Sequence, residues 1–173
     1  GGTYNVEIGG TTPGNLATNH DQIAVTGTVT LGAGTATLNT SLINGFLPTN
    51  GNQIVIISND GVDAVSGNFS GLSQGSIVQS NVNGTTDLVI SYVGGDGNDV
   101  TLVAGNLTTR VFVDGSGNLV IEDINDATND QLTIQVVGSN LVISDADGGI
   151  LIDAQGLIDG TTGDGSNSVT VAL

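Results

Sequence analysis

The chain has 173 residues, of which seventeen are Asp or Glu and only one, Arg110, is a Lys or Arg, so the formal net charge is −16. A single arginine cannot form the basic patch that neutralises phosphates, which excludes nucleic acid as a partner and disfavours an anionic membrane surface. The absence of cysteine excludes disulfides and thiolate metal sites. With 28 glycines, three Phe, two Tyr and no Trp, the sequence predicts a thin core of small aliphatic side chains.

Short apolar segments rich in Val, Ile and Thr follow one another along the whole chain and predict β-strands. Pairs such as Gly-Asn, Asn-Gly and Asp-Gly separate these segments and supply the positive φ angles of tight turns. Helical periodicity is nearly absent, and no apolar run is long enough to insert into a membrane. The sequence therefore predicts an all-β protein. The predicted strands cover residues 4–8, 23–31, 35–39, 53–57, 87–92, 99–103, 110–113, 118–121, 131–137, 141–144, 150–152 and 168–172.

The chain divides into two segments by the density of its acidic residues. Ten of the seventeen acids follow the stretch 105–109, so we predict a first segment over 1–104 and an Asp-rich β segment over 105–173. Within the second segment, residues 117–123 and 139–145 resemble each other at a spacing of 22 residues. That period fits one coil of a parallel β-helix or one antiparallel hairpin, and both interpretations stay open. Strand-like patterns at both ends predict that the chain is part of a longer protein.

The first segment carries an ordered series of motifs: a Gly-rich turn, a coil that begins at a His-Asp pair, a Gly-Phe-Leu-Pro turn, an apolar strand and two further glycine-punctuated strands. They lie at residues 9–14, 20–29, 45–48, 53–57, 65–72 and 92–102. This order resembles the end of an autotransporter-type passenger β-helix and the repeats of large bacterial surface proteins. The resemblance covers about residues 3–104 and implies a right-handed parallel β-helix-like solenoid in an exported protein, without catalytic residues. Residues 105–173 are expected to continue as further coils or as a small β-sandwich.

Closely spaced acidic and amide side chains in the second segment predict a calcium site, because calcium takes six to eight oxygen ligands from carboxylates, amides and carbonyls. The candidate ligands are Asp114, Asn118, Asp123, Asp126, Asp130, Asp145 and Asp147. Solvated turn residues are the alternative, since Asp and Asn also begin turns by bonding their own backbone. The stretch 94–99 matches the front of a calcium-binding nonapeptide. Tandem copies are missing and Thr101 replaces the apolar position, so a plain glycine-rich turn is the simpler interpretation.

Nothing in the sequence predicts an enzyme. His20 is the only histidine, and its neighbour Asp21 would point to the opposite face of a strand, so the two do not predict a catalytic pair. Glu7 and Glu122 are the only glutamates, and the absence of Trp argues against a sugar-cleaving cleft with paired carboxyls. One histidine without cysteine does not predict a zinc site.

The pattern favours a structural segment of a large exported bacterial surface or extracellular-matrix protein. Its expected partners are neighbouring segments or copies of the same protein, and open strand edges would let it self-assemble into a filament or lattice. The alternative is a calcium-dependent adhesin or carbohydrate-binding module that contacts cell-surface glycans. Exposed aromatic residues would discriminate the two, and only Tyr4 and Tyr92 could serve as sugar-binding platforms.

Overall fold

The computed structural model describes residues 1–32, 34–113, 116–123, 131–146, 148–153 and 167–172, which form thirteen β-strands and no helix. The prediction of an all-β fold is confirmed. The strands are β1 (Thr3–Ile8), β2 (Ile23–Val25), β3 (Thr37–Leu42), β4 (Gln53–Asn59), β5 (Ile77–Gln79), β6 (Asp87–Gly94), β7 (Asp99–Gly105), β8 (Leu107–Val113), β9 (Leu119–Asp123), β10 (Leu132–Val137), β11 (Asn140–Asp145), β12 (Gly149–Asp153) and β13 (Ser168–Ala172).

The strands form four sheets, with the orders β1-β3, β2-β4-β7-β6-β5, β12-β8-β9 and β10-β11-β13. Three of the strand pairs are parallel and six are antiparallel. The sheets do not close around a common axis, so the β-helix expected over 1–104 is not shown. One physical reason is the tight turn between β6 and β7, where the Gly97 amide donates to the Gly94 carbonyl at 2.9 Å. The resulting hairpin lays antiparallel strands beside β4, where a solenoid would place parallel ones.

The parallel pairs of the first segment have a common register. Thr3 pairs with Thr37 in β1–β3 and Ile23 pairs with Ile57 in β2–β4, and both pairs are 34 residues apart. A third parallel bridge joins Thr30 to Ser66, 36 residues further along. β1 and β2, in residues 3–36, thus each lie parallel to a strand of residues 37–70 at the same offset. We call residues 3–36 the first pass and residues 37–70 the second pass.

Three apolar clusters hold the sheets together. The largest is built by the two passes with one face of the β6–β7 hairpin, and includes fully buried Ile54, Ile90 and Leu102. A second cluster on the opposite face of the hairpin joins Val89 and Val103 to Leu107 of β8. β6 and β7 are thus covered on both faces, which explains their nearly continuous burial. The third cluster is contributed by both C-terminal sheets and is centred on Val111, Ile143, Ile150, Val169 and Val171.

The predicted segment boundary falls where one residue, Asn106, separates β7 from β8. Leu107, Thr108 and Thr109 are all buried, so this stretch is not an exposed linker. The 22-residue echo does not mark stacked coils. Its first copy contributes β9 and its second β11, which belong to different sheets, and β11 forms an antiparallel hairpin with β10.

Candidate functional site

The seven calcium ligands predicted from the sequence are not brought together in the described residues. Asp114, Asp126, Asp130 and Asp147 lie outside those residues. Asn118 and Asp123 are exposed, before and at the end of β9, whereas Asp145 is buried at the end of β11. Across the part of the chain that the structure describes, no group of three or more His, Cys, Asp or Glu side chains is arranged to hold a metal ion. The calcium site in the second segment stays a prediction.

The buried carboxylate of Asp145 has a structural environment. Its Oδ2 atom accepts hydrogen bonds from the Oγ1 hydroxyls of Thr108 at 2.8 Å and of Thr109 at 3.0 Å. Asn167 adds a bond from its Nδ2 to the backbone carbonyl of Gly148 at 2.8 Å, next to the same loop. These contacts tie β8 to β11 across the C-terminal cluster, because a buried carboxylate is stable only when donors surround it.

His20, a residue of the first pass, is buried against β4. Its Nδ1 lies 3.1 Å from the Gly10 carbonyl oxygen and its Nε2 lies 3.0 Å from the Val55 carbonyl oxygen. The neighbouring Asp21 uses its carboxylate to accept the Glu7 backbone amide at 3.0 Å. The ring nitrogens of His20 therefore contact backbone carbonyls and not a nucleophile or a carboxylate, which is the environment of a histidine that joins strands.

Both tyrosines have their hydroxyl groups engaged inside the fold. Tyr4 donates to the Ile56 carbonyl at 2.9 Å, and burial together with the nearby Asp21 charge raises the pKa of Tyr4 to about 12. Tyr92 is 5% exposed, donates to the Leu72 carbonyl at 2.7 Å, and has its pKa raised by burial. Neither ring is an exposed platform of the kind that sugar recognition uses.

Two acidic turns meet at one end of the five-stranded sheet. The first, residues 59–63, follows β4, and the second, residues 94–99, joins β6 to β7. The Asn59 backbone amide donates to Asp99 Oδ1 at 2.8 Å. The Asn98 Nδ2 lies 3.3 Å from the Asp60 carbonyl oxygen and 3.2 Å from that of Gly61. We call residues 59–63 and 94–99 the acidic turn pair.

The interior of the acidic turn pair contains acceptor oxygens without donors. Asn59 and Asn98 are each 4% exposed, and the Oδ1 atom of each is buried without a hydrogen-bond partner, as is Oδ2 of Asp63. Gly95 is required beside them. Its φ is 60°, and a Cβ atom there would collide with the Asp99 carboxylate. The pKa of Asp99 is raised, chiefly by desolvation and further by the charge of Asp96, while the bond from Asn59 lowers it.

The sequence alone does not predict this arrangement, because it indicates a plain glycine-rich turn over residues 94–99 and no site at residues 59–63. A local signal exists in Asn-Asp-Gly-Val-Asp at 59–63 and Asp-Gly-Asn-Asp at 96–99. Both turns combine carboxylates and an amide around a glycine, but only the β4–β7 pairing brings them into contact.

Arg110, the only Lys or Arg in the chain, lies outside the acidic turn pair and forms an ion pair. Arg110 on β8 pairs with Glu122 on β9, and its guanidinium carbon lies 4.6 Å from the centroid of the Phe112 ring. Among the residues that the structure describes, no helix is long and apolar enough to cross a membrane.

Comparisons with known proteins found no matching protein family, no similar curated protein and no similar solved structure.

Proposed function

We propose that this chain is a structural segment of a large exported bacterial surface or extracellular-matrix protein, whose first part is built from coils of a right-handed β-helix-like solenoid. The observation that carries the proposal is the common 34-residue register of the first and second passes. Parallel stacking of successive passes at a constant spacing is the way in which solenoids extend.

The side chains of β1 and β3 support this proposal, because inward and outward positions alternate in step along the two strands. Val6 and Ile8 of β1 and Leu38 of β3 are buried in the same cluster, and their register partners Thr40, Leu42 and Tyr4 are partly exposed on the same side. On the outer face, Asn39 Nδ2 donates to Asn5 Oδ1 at 3.0 Å across the paired strands. Stacked asparagines that bond to each other along a column stabilise parallel in-register strands. Inward and outward positions therefore repeat from one pass to the next.

The environments of the tyrosines favour the structural role over an adhesin or carbohydrate-binding module. Tyr92 is buried, and Tyr4 is partly buried against the core with its hydroxyl bonded to the Ile56 carbonyl, so neither ring is an exposed platform for glycans. The alternative would have to bind glycans without them.

The first half of the outer edge of β1 gives the segment a surface on which another coil would stack. In the described sheets the ladder partner of β1 is β3, and on the other side the end of β1 is tied to residues 19–21 by the bond from the Asp21 amide to the Glu7 carbonyl and by the Ile8–His20 bridge. An unpaired strand edge carries backbone donors and acceptors that accept a further strand. A neighbouring segment or a second copy is the partner that such an edge fits, and in the second case the segment assembles into a filament or lattice.

Engineered disulfides test the register directly, since no native cysteine competes. Glu7 and Ser41 are exposed Cα partners in β1 and β3, so the double variant Glu7→Cys/Ser41→Cys should oxidise readily. Paired Cα atoms in neighbouring strands are about 5 Å apart, which is within the reach of a disulfide. In the control Thr3→Cys/Ser41→Cys, the residues are four positions out of register, about 13 Å along the strand. Equal oxidation of both variants would contradict the stacked register.

Location is tested on cells. Antibodies against residues 1–104 should label intact, unpermeabilised cells of the source bacterium or its matrix. Labelling that appears only after permeabilisation would overturn the exported role, whatever the disulfide experiment gives.

A further inference from the structure

From the geometry of the acidic turn pair we infer a binding site for a hard divalent cation of the size of calcium, formed by the turns that follow β4 and join β6 to β7. This inference does not depend on the role proposed above. It rests on three features of residues 59–63 and 94–99: buried acceptor oxygens without donors, an excess of negative charge, and a mixture of ligand types suited to calcium.

The orientation of both asparagine amides is fixed by their donors. Asn59 Nδ2 donates to the Asp63 carbonyl at 2.8 Å, and Asn98 Nδ2 donates to carbonyls of the same turn. Exchanging O and N in either amide would place an oxygen against those carbonyls. Each Oδ1 atom therefore stays an acceptor, and neither has a donor within the protein. A buried acceptor without a donor is unfavourable, so these two amide oxygens and Asp63 Oδ2 call for a partner from solution, either water or a cation.

The charges of the two turns point to the kind of ligand. Asp60, Asp63, Asp96 and Asp99 all lie within the turn pair, and the chain contains no lysine. Arg110, the only arginine, is paired with Glu122, and both residues lie in the β12-β8-β9 sheet, away from the turn pair. Neither turn contains a Lys, Arg or His, so the four carboxylates have no positive partner within the turn pair. A cation from solution supplies that partner, whereas a water molecule would satisfy lone pairs without balancing charge.

The donor set selects calcium among the common cations. Calcium accepts six to eight oxygens from carboxylates, amides, backbone carbonyls and water in flexible geometry, whereas magnesium requires a near-ideal octahedron and keeps its water. Zinc sites are built mainly on His and Cys, with carboxylates as additional ligands, and the turns contain neither His nor Cys. Two of the three unpartnered oxygens here are amide oxygens, so the site differs from a cluster of three or more acidic side chains.

A cation at this position would join three parts of the first segment. Asp99 begins β7 and holds the end of β4 through Asn59. Asp60 Oδ1 accepts the backbone amide of Gly27 at 2.6 Å, which connects the turn pair to the first pass. Calcium should therefore stabilise residues 1–105, and not primarily the Asp-rich second segment where the sequence placed the site.

The test uses the full chain with calcium chloride as the probe. Thermal unfolding is followed in millimolar calcium chloride and in sodium chloride of matched ionic strength, because monovalent salt screens carboxylate repulsion without binding at the site. We expect a higher melting temperature in calcium, since a ligand bound only to the native state stabilises it by RT ln(1 + [L]/Kd). Calorimetric titration should give one site, weakened at least tenfold in Asp99→Asn.

Asp87→Asn is the matched control. Asp87 Oδ1 accepts the Asn81 backbone amide at 2.8 Å, the same kind of bond at the same length that Asp99 makes, and it begins β6 at the opposite end of the hairpin. Both variants remove one charge and keep an acceptor oxygen. Only Asp99→Asn should lose calcium affinity. Equal losses in the two variants would mean that calcium acts by screening the overall charge, and the proposed site would be wrong.

A readout at the site itself keeps the inference testable if Asp99→Asn does not fold. In the unmodified protein, the side-chain amide resonances of Asn59 and Asn98 should shift on calcium addition and saturate with the calorimetric titration. If calcium and sodium give the same melting curve and these amides do not move, water fills the site and the inference is wrong. If calcium binding survives in Asp99→Asn and disappears in Asp114→Asn/Asp123→Asn/Asp126→Asn, the site lies in the second segment instead.

Discussion

Among the residues that the structure describes, the first and second segments bury the same kinds of aliphatic side chain in different amounts. In the described residues, the cluster around β4, β6 and β7 contains sixteen buried residues, and the cluster between the two C-terminal sheets contains five. The difference follows from coverage. β6 and β7 are covered on both faces, whereas every residue of β10 is exposed, including Ile134 at 53% and Val136 at 64%. In the described residues, similar aliphatic side chains thus form a thick core where a hairpin lies under two passes of chain, and a thin one where two small sheets meet.

The strongest test of this comparison is one large-to-small substitution in each core. Ile90 on β6 and Ile143 on β11 are both fully buried, so Ile90→Ala and Ile143→Ala each leave a cavity and should cost about 2–5 kcal/mol. If the segments unfold separately, calorimetry should show Ile143→Ala lowering an early transition and Ile90→Ala lowering a later one. A single transition that both variants lower equally would mean that the two cores form one cooperative unit.

The strands of the thick core were predictable because they are long and continuously apolar. β4, β6 and β7 contain five- to seven-residue runs of mostly Ile, Val and Leu, which indicate buried strands. The run 23–31 was predicted as one strand, but only β2 forms. Gly27 interrupts it with a φ of 101° and donates its amide to Asp60. The sequence does not predict β5, because this strand has only three residues and none of them is fully buried.

The register and the acidic turn pair were not predictable, for related reasons. Between β1 and β3, only the pairs Thr3–Thr37 and Asn5–Asn39 are identical residues, so the 34-residue period is hard to recognise in the sequence. Asn59 and Asn98 are 39 residues apart and meet only through the β4–β7 pairing. The density of Asp in the second segment indicated turns, but density alone does not say which oxygens converge.

The next largest effect is expected at the carboxylate that joins the two C-terminal sheets. Asp145→Ala removes a buried acceptor that the Thr108 and Thr109 hydroxyls share, which should lower the free energy of unfolding by about 2 kcal/mol. Urea unfolding measures the loss, and Asp123→Ala, at an exposed predicted calcium ligand, is the control. Equal effects of the two variants would mean that overall charge, not the buried contact, sets the stability of this segment.

Alkaline pH should weaken the first segment selectively, because it contains both tyrosines. Burial raises the pKa of Tyr4 from 10.0 to about 12, so the neutral phenol is favoured in the folded state. Its contribution is fully present below pH 10 and is lost as the pH rises toward 12. Urea unfolding between pH 9 and 12 should show this fall, and Tyr4→Phe should flatten it while costing about 1 kcal/mol at neutral pH for the lost bond to Ile56. An unchanged slope in Tyr4→Phe would assign the fall to other groups.

The smallest expected effect is an absence of cleavage at the junction of the two segments. Trypsin has one possible site, after Arg110, and this residue lies in β8 between β9 and β12 with its side chain 20% exposed. A protease needs an extended and unpaired backbone, so native protein should resist digestion. Glu122→Gln should not change this resistance, because a partly exposed ion pair contributes little. On heating, cleavage should begin at the transition that Ile143→Ala lowers, since β8 belongs to the thin core. Rapid cutting of the native protein into two fragments would instead mean that β8 opens independently. The second segment would then be loosely attached to the first, and would not have a stable thin core of its own.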